Sequence, residues 1–237
     1  MVSLLSNMLR YLKAYLLLGS FHINNEERNR MLALGLSYIR DEKVKGDYFE
    51  FGVASGRTFI ASILLARKMQ VDIDFVALDS FQGFPRPSGV DAARFERFKQ
   101  GEENWPKTHL LNNLRRAKVD VGKVEIVEGW FAESLTDDLQ RSHAAKGGCA
   151  LAWIDCDMYV STVPVLDFLT PLIHQGSILI FDDWFCYRGS PEQGEQRAVR
   201  EWLERHPEVE LIPFRKFAVV GNSFIVNVRD GDGRKGD

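Results

Sequence analysis

Short apolar runs alternate along this chain with longer segments of helical periodicity. Tyr48, Phe49 and Phe51 form an aromatic run of high strand propensity. Ile60, Ile63, Leu64 and Leu65, with Ala61 and Ala66 between them, predict a helix over residues 58–69. Further strands are expected at 74–79, 123–129, 150–157 and 177–183. The fourth is continuously apolar, as suits a strand covered on both faces. Two last strands, 209–213 and 223–228, are joined by a short link that favours an antiparallel pair. Between the strands, helices are predicted at 108–116, with Thr108 as cap, and at 193–205. Another follows the fourth strand, capped by Ser161 or Thr162, with Pro164 in its first turn. Alternation of this kind predicts an α/β fold: one mostly parallel sheet with helices on both faces and an antiparallel last strand.

The ends of the chain read differently. Leu4, Leu5, Met8, Leu9, Leu12, Leu16 and Leu17 recur at helical spacing, interrupted by Arg10 and Lys13. A signal peptide would carry its charge first and then an unbroken apolar run. The segment is also short for a bilayer span, so membrane contact is disfavoured. A second helix starts at a cap formed by Asn24 or Asn25, with Glu26 and Glu27 in its first turn, and runs to Arg40. Residues 1–40 are therefore expected to pack on the core or on a second subunit, and a homo-oligomer, a dimer, is the expectation. Residues 41–229 form the domain, and the Gly-rich, charged tail 230–237 is expected to be disordered.

The chemistry gathers at the predicted strand ends. Glu50, Gly52 and Gly56 give an E-x-G-x-x-x-G turn between the first strand and its helix, with Thr58 just inside that helix. Glycines there permit a tight turn and close backbone approach to a ligand, and the helix start offers N–H groups to an anion. A pyrophosphate-binding turn carries three glycines. Ala54 and Arg57 stand in this one, which better suits a cofactor bearing both an ammonium and a carboxylate, such as S-adenosylmethionine. The second strand ends in Asp79, followed by Ser80. An acid at that place meets ribose hydroxyls, or else caps a loop. Gly129, Trp130 and Phe131 follow the third strand and could flank an adenine ring. The fourth strand ends in Asp155 and Asp157, the fifth in Asp182 and Asp183. So many acids in one rim call for a cation, and oxygen-only ligands point to Mg²⁺. Residues 89–107 are long for a connection and read as a lid. His109 is either a solvated residue or a proton shuttle.

Composition narrows the partners. The 237 residues carry a net charge of −3, which gives no electrostatic reason to expect nucleic acid. Three cysteines at no metal spacing favour a reduced, cytoplasmic setting.

The blocks Glu50-Phe51-Gly52-Val53, Leu78-Asp79-Ser80-Phe81-Gln82-Gly83-Phe84-Pro85, Asp155-x-Asp157-x-Tyr159-x-Ser161-Thr162 and Asp182-Asp183 resemble the macrocin O-methyltransferase family over residues 25–205. The resemblance implies a class I methyltransferase fold with a seven-stranded sheet, S-adenosylmethionine as cofactor, and Mg²⁺ held by Asp155, Asp182 and Asp183. It further implies methyl transfer to a hydroxyl of a small natural product, a sugar or a phenol. Asp155, between cofactor and metal, is the first candidate to take the hydroxyl proton and His109 the second. Two rival readings are a cofactor-binding protein without catalysis and a nicotinamide-dependent oxidoreductase, which would want the three-glycine turn.

Overall fold

The computed structural model describes residues 24–92 and 98–229. Helix α1 occupies residues 24–41. It is followed by β1 (Asp47–Phe51), α2 (Arg57–Met69), β2 (Phe75–Asp79), α3 (Lys107–Arg116), β3 (Val124–Glu128), α4 (Phe131–Ser134) and α5 (Asp137–Ala144). Then come β4 (Cys149–Ile154), α6 (Tyr159–Leu169), β5 (Ile178–Phe181), α7 (Gly194–Arg205), β6 (Val209–Phe217) and β7 (Gly221–Val228). One seven-stranded sheet has the order β3-β2-β1-β4-β5-β7-β6. The first five pair in parallel, and β7 runs antiparallel to both β5 and β6. The expected antiparallel last strand is present.

Period-two alternation sends side chains of each strand into two cores. Phe49, Phe51, Ala152, Ile154, Leu179 and Phe181 pack with Leu166 and Phe168 of α6 and with Val199 and Trp202 of α7. Tyr48, Ala77, Leu151, Trp153, Ile178 and Ile180 pack on the opposite face. There they meet Met31, Leu32 and Leu36 of α1, Phe59 and Ile63 of α2, and Leu110 and Leu114 of α3. Each fully buried Leu, Ile or Phe contributes roughly 1.5–3 kcal/mol, so the sheet centre is rigid. Among the described residues no helix is long and apolar enough to cross a membrane. The proposed N-terminal amphipathic helix and the tail lie outside the described residues, as does part of the lid.

Several local expectations are corrected. Asn25 is inside α1, which is already helical at residue 24. Helix α3 starts at Lys107 behind Pro106, so Thr108 is not its cap. Ser161 and Thr162 lie inside α6, and Thr162 Oγ1 donates back to the Met158 carbonyl (2.8 Å). The α6 start is capped instead by Asp91, whose two oxygens accept the N–H groups of Tyr159 and Val160 at 2.9 Å each. Pro164 therefore falls in the second helical turn. Helix α5 has no counterpart in the expected pattern. It offers Leu139 as its only large aliphatic residue, but Thr136 caps it by accepting from the Leu139 N–H (3.3 Å).

Candidate functional site

The strand order reverses between β1 and β4, where a parallel sheet opens a crevice beyond its carboxyl ends. Register fixes what stands there. Phe51 pairs with Ile154 and Ile154 with Phe181, so the next residues, Gly52, Asp155 and Asp182, sit side by side. The Asp155 N–H donates to the Phe51 carbonyl and the Asp182 N–H to the Ile154 carbonyl, both at 2.9 Å. Gly52 has φ 87°, and a Cβ on it would stand 2.1 Å from the Asp155 carbonyl oxygen. Only glycine fits this crossing.

A cleft of about 790 Å³ runs along this rim. It is lined by Gly52, Asp79, Ser80, Gly129, Trp130 and Phe131. Asp155, Asp157, Asp182 and Asp183 line it too, with Arg28 from α1. Phe84, Phe98, Glu102 and Glu103 complete the wall. Nine of the thirteen candidate cofactor, metal and catalytic residues thus share one cavity, and Asp157 of the acid rim joins them.

Four do not. Glu50 lies on the Tyr48 face of β1, which packs toward α2 rather than past the strand end. Its carboxylate accepts from the Tyr48 hydroxyl and the Phe59 N–H, and burial raises its pKa well above the usual range. Gly56, with φ 83°, makes room for Leu110 of α3, whose Cδ1 would be 2.3 Å from a Cβ. Thr58 lies in α2 and does not line the cleft. His109 is corrected as a proton shuttle: it is exposed on α3, its ring 5.0 Å from that of Trp105, and does not reach the cleft.

Asp79 caps its loop, one of its two sequence readings. It lines the cleft, and it also pins the glycine turn. Its Oδ2 accepts from the Val53 and Ala54 N–H groups (2.9 and 2.8 Å), and its Oδ1 from Phe81 N–H (2.7 Å). Burial raises its pKa, and hydrogen bonds from these backbone N–H groups oppose the rise.

The acids converge as expected, but the converging set differs from the expected trio. Carboxylate oxygens of Asp155, Asp157 and Asp183 lie within 4.8 Å of one another. Asp182 is held aside by a two-pronged pairing with Arg28. Two unit charges at such separation repel by roughly 3–4 kcal/mol at an effective dielectric of about 20. Burial, then Asp182, Asp183 and Asp157, push the Asp155 pKa well up. Asp182 is pushed up to about 6, chiefly by burial, against the Arg28 hydrogen bond that pulls it down. Asp183 accepts the Cys186 thiol on Oδ1 (3.1 Å), while its buried Oδ2 has no donor among the described residues. An orphaned carboxylate oxygen facing two more carboxylates fits a hard cation.

Sequence reasoning missed two contributors, Glu195 and Arg28, and placed Asp157 at the rim without giving it a part in the metal set. Asp157 was visible in the D-x-D spacing; its φ of 58° turns the backbone just after β4. Glu195 reads as an ordinary first-turn acid of α7, yet it is 1% exposed and accepts the Asp183 N–H at 3.2 Å. Burial, then Asp183 and Asp157, raise its pKa well above the usual carboxylate range. Arg28 gave no signal, being 154 positions from its partner.

Comparison with known proteins agrees with this geometry. The family model described as macrocin-O-methyltransferase (TylF) matches residues 20–206. A mycinamicin III 3''-O-methyltransferase of Micromonospora griseorubida is 31% identical over 179 residues, 72% of this chain and 65% of that protein. The 8-demethyl-8-(2,3-dimethoxy-alpha-L-rhamnosyl)-tetracenomycin-C 4'-O-methyltransferase of Streptomyces olivaceus is 29% identical over 147 residues, 60% of this chain and 54% of that protein. The chain thus spans between half and two thirds of the length of these curated relatives. Among solved structures, the O-methyltransferase NovP superposes with a TM-score of 0.66 at 23% identity, covering 84% of this chain and 79% of that one. The class I methyltransferase fold implied by the sequence blocks is the fold of this chain.

Proposed function

The chain belongs to the macrocin O-methyltransferase family, and from that premise we propose that it transfers a methyl group from S-adenosylmethionine to a hydroxyl of a glycosylated natural product, with Mg²⁺ at its acid cluster. The observation that carries this reading is the single cleft joining the glycine turn to the carboxylates. The names of the curated relatives, one acting on a rhamnosyl-bearing molecule, favour a sugar hydroxyl over a phenol.

Each residue then has a task. Asp79, held rigid by backbone N–H groups, lines the cleft and meets the ribose. Trp130 and Phe131 flank the adenine, and Gly52 lets the methionine end approach the β1 backbone. S-adenosylmethionine supplies an already electrophilic methyl, so the protein's work is alignment. Asp155 and Asp183 would hold Mg²⁺, which when bound lowers the pKa of a hydroxyl beside it. Asp157 converges on the same point as these two, within hydrogen-bond reach of an oxygen between them, and we assign it the hydroxyl proton. Its position replaces His109 and relieves Asp155 of a double role. The three cysteines are buried and form no disulfide, which supports a reduced, cytoplasmic setting. A homo-oligomer remains part of this proposal.

A thermal-shift comparison tests the cofactor assignment. S-adenosylhomocysteine at a hundredfold excess over its Kd should add about 2.7 kcal/mol of stability and raise Tm by several degrees. NAD should leave Tm unchanged. A shift with NAD and none with S-adenosylhomocysteine would overturn the cofactor assignment.

A further inference from the structure

Asp182 stands at the end of β5 beside Asp155, yet its carboxylate is outside the set that converges. The cause is Arg28. Its Nε donates to Asp182 Oδ1 at 2.8 Å and to Oδ2 at 3.1 Å, and its Nη2 donates to Oδ2. A planar guanidinium set against a carboxylate in this way uses both oxygens. The Asp182 side chain is 3% exposed and that of Arg28 30%, so the charge is delivered into the cluster from α1 on a long stem. Asp182, Asp155 and Asp183 all favour the charged guanidinium, Asp182 most. Among the described residues lining the cleft, Arg28 is the one basic side chain.

We propose that Arg28 is the resident counter-ion of the acid cluster, and that Arg28 and a divalent cation are alternative partners of Asp182. This rests on the metal reading above and extends it. With Arg28 in place, the cluster carries its own positive charge and both Asp182 oxygens are engaged by the guanidinium. A cation bound by those carboxylates meets a fixed positive charge close by and an aspartate already engaged. Loading the cation moves Asp182 onto it and frees the Arg28 side chain. Cation occupancy is thereby coupled to α1, and the coupling acts equally in both directions.

The alternative is that Arg28 merely positions Asp182 for the cation, and the two ideas predict opposite signs. Mn²⁺ serves as the probe, titrated into the full chain by calorimetry and by electron paramagnetic resonance, without cofactor or acceptor. Arg28→Gln should bind Mn²⁺ about tenfold or more tightly than the wild type. It should also melt earlier in EDTA and gain more in Tm from Mn²⁺. Arg28→Lys keeps the charge and should stay near the wild-type affinity. Equal or weaker Mn²⁺ binding by a folded Arg28→Gln overturns the exchange and leaves the metal reading intact. If neither protein binds Mn²⁺, the metal reading itself falls, and the exchange with it.

Discussion

Asp155→Asn should lower the rate of methyl transfer by about 10²–10³-fold, the scale of losing one preorganised electrostatic group, while S-adenosylhomocysteine still binds within a few-fold of wild type. Asparagine keeps the shape and the backbone hydrogen bond to Phe51, but it removes a charge the proposed cation requires. The residues assigned to the cofactor's ribose and adenine, Asp79, Trp130 and Phe131, are outside the converging carboxylate group. Stability separates a functional role from a structural one. In the metal-free protein, Asp155 is a penalised group, its carboxylate opposed by burial and by three neighbouring aspartates. Removing its charge should leave Tm unchanged or raise it. A structural carboxylate would do the reverse, because deleting a satisfied buried charge destabilises its partners. Retained turnover in a folded Asp155→Asn would remove Asp155 from the mechanism.

Gly52→Ala should be the most destabilising glycine substitution in the site. Two costs add. At φ 87° an L-residue is strained by roughly 1–2 kcal/mol. The new Cβ would also stand 2.1 Å from the Asp155 carbonyl, and forcing β1 and β4 apart costs about 1–3 kcal/mol more. The sum, roughly 2–5 kcal/mol, corresponds to a Tm fall on the order of 10 °C for a domain of this size. Gly89→Ala is the control. Its φ is 53°, but nothing lies within 4 Å of its Cβ, so only the backbone cost applies. If both variants melt together, the close crossing of Gly52 and Asp155 is not what the glycine serves.

The parts of this molecule that could be read from sequence are those set by local repetition. Strands such as 150–154 are apolar without a break, and the acids that follow them mark the carboxyl edge of a parallel sheet. That is why Gly52, Asp79, Asp155, Asp182 and Asp183 could be named in advance and then met in one cleft. Glu50 misled because adjacency to a strand end was taken for exposure at it. Its place in the period-two alternation puts it on the Tyr48 face, under α2. The rest depends on contacts between distant segments. Asp91 caps α6 from 68 positions away. Arg28 reaches Asp182 across 154. Neither has a pattern that the residues around it could betray. Glu195 is hidden for a different reason: on a helix whose neighbours are Gln196, Arg197 and Arg200, an acid in the first turn is ordinary, and only the approach of the β5 end makes it part of the cluster.

In the proposed function one cleft takes both S-adenosylmethionine and a divalent cation and uses them together. The most direct measurement is transfer of a labelled methyl from S-adenosylmethionine to a panel of glycosylated natural products, run in Mg²⁺, in EDTA, and in EDTA with Mg²⁺ restored. Labelled product is expected on a sugar hydroxyl in Mg²⁺, with its loss in EDTA and its return when Mg²⁺ is added back. Transfer that continues undiminished under full chelation would contradict it.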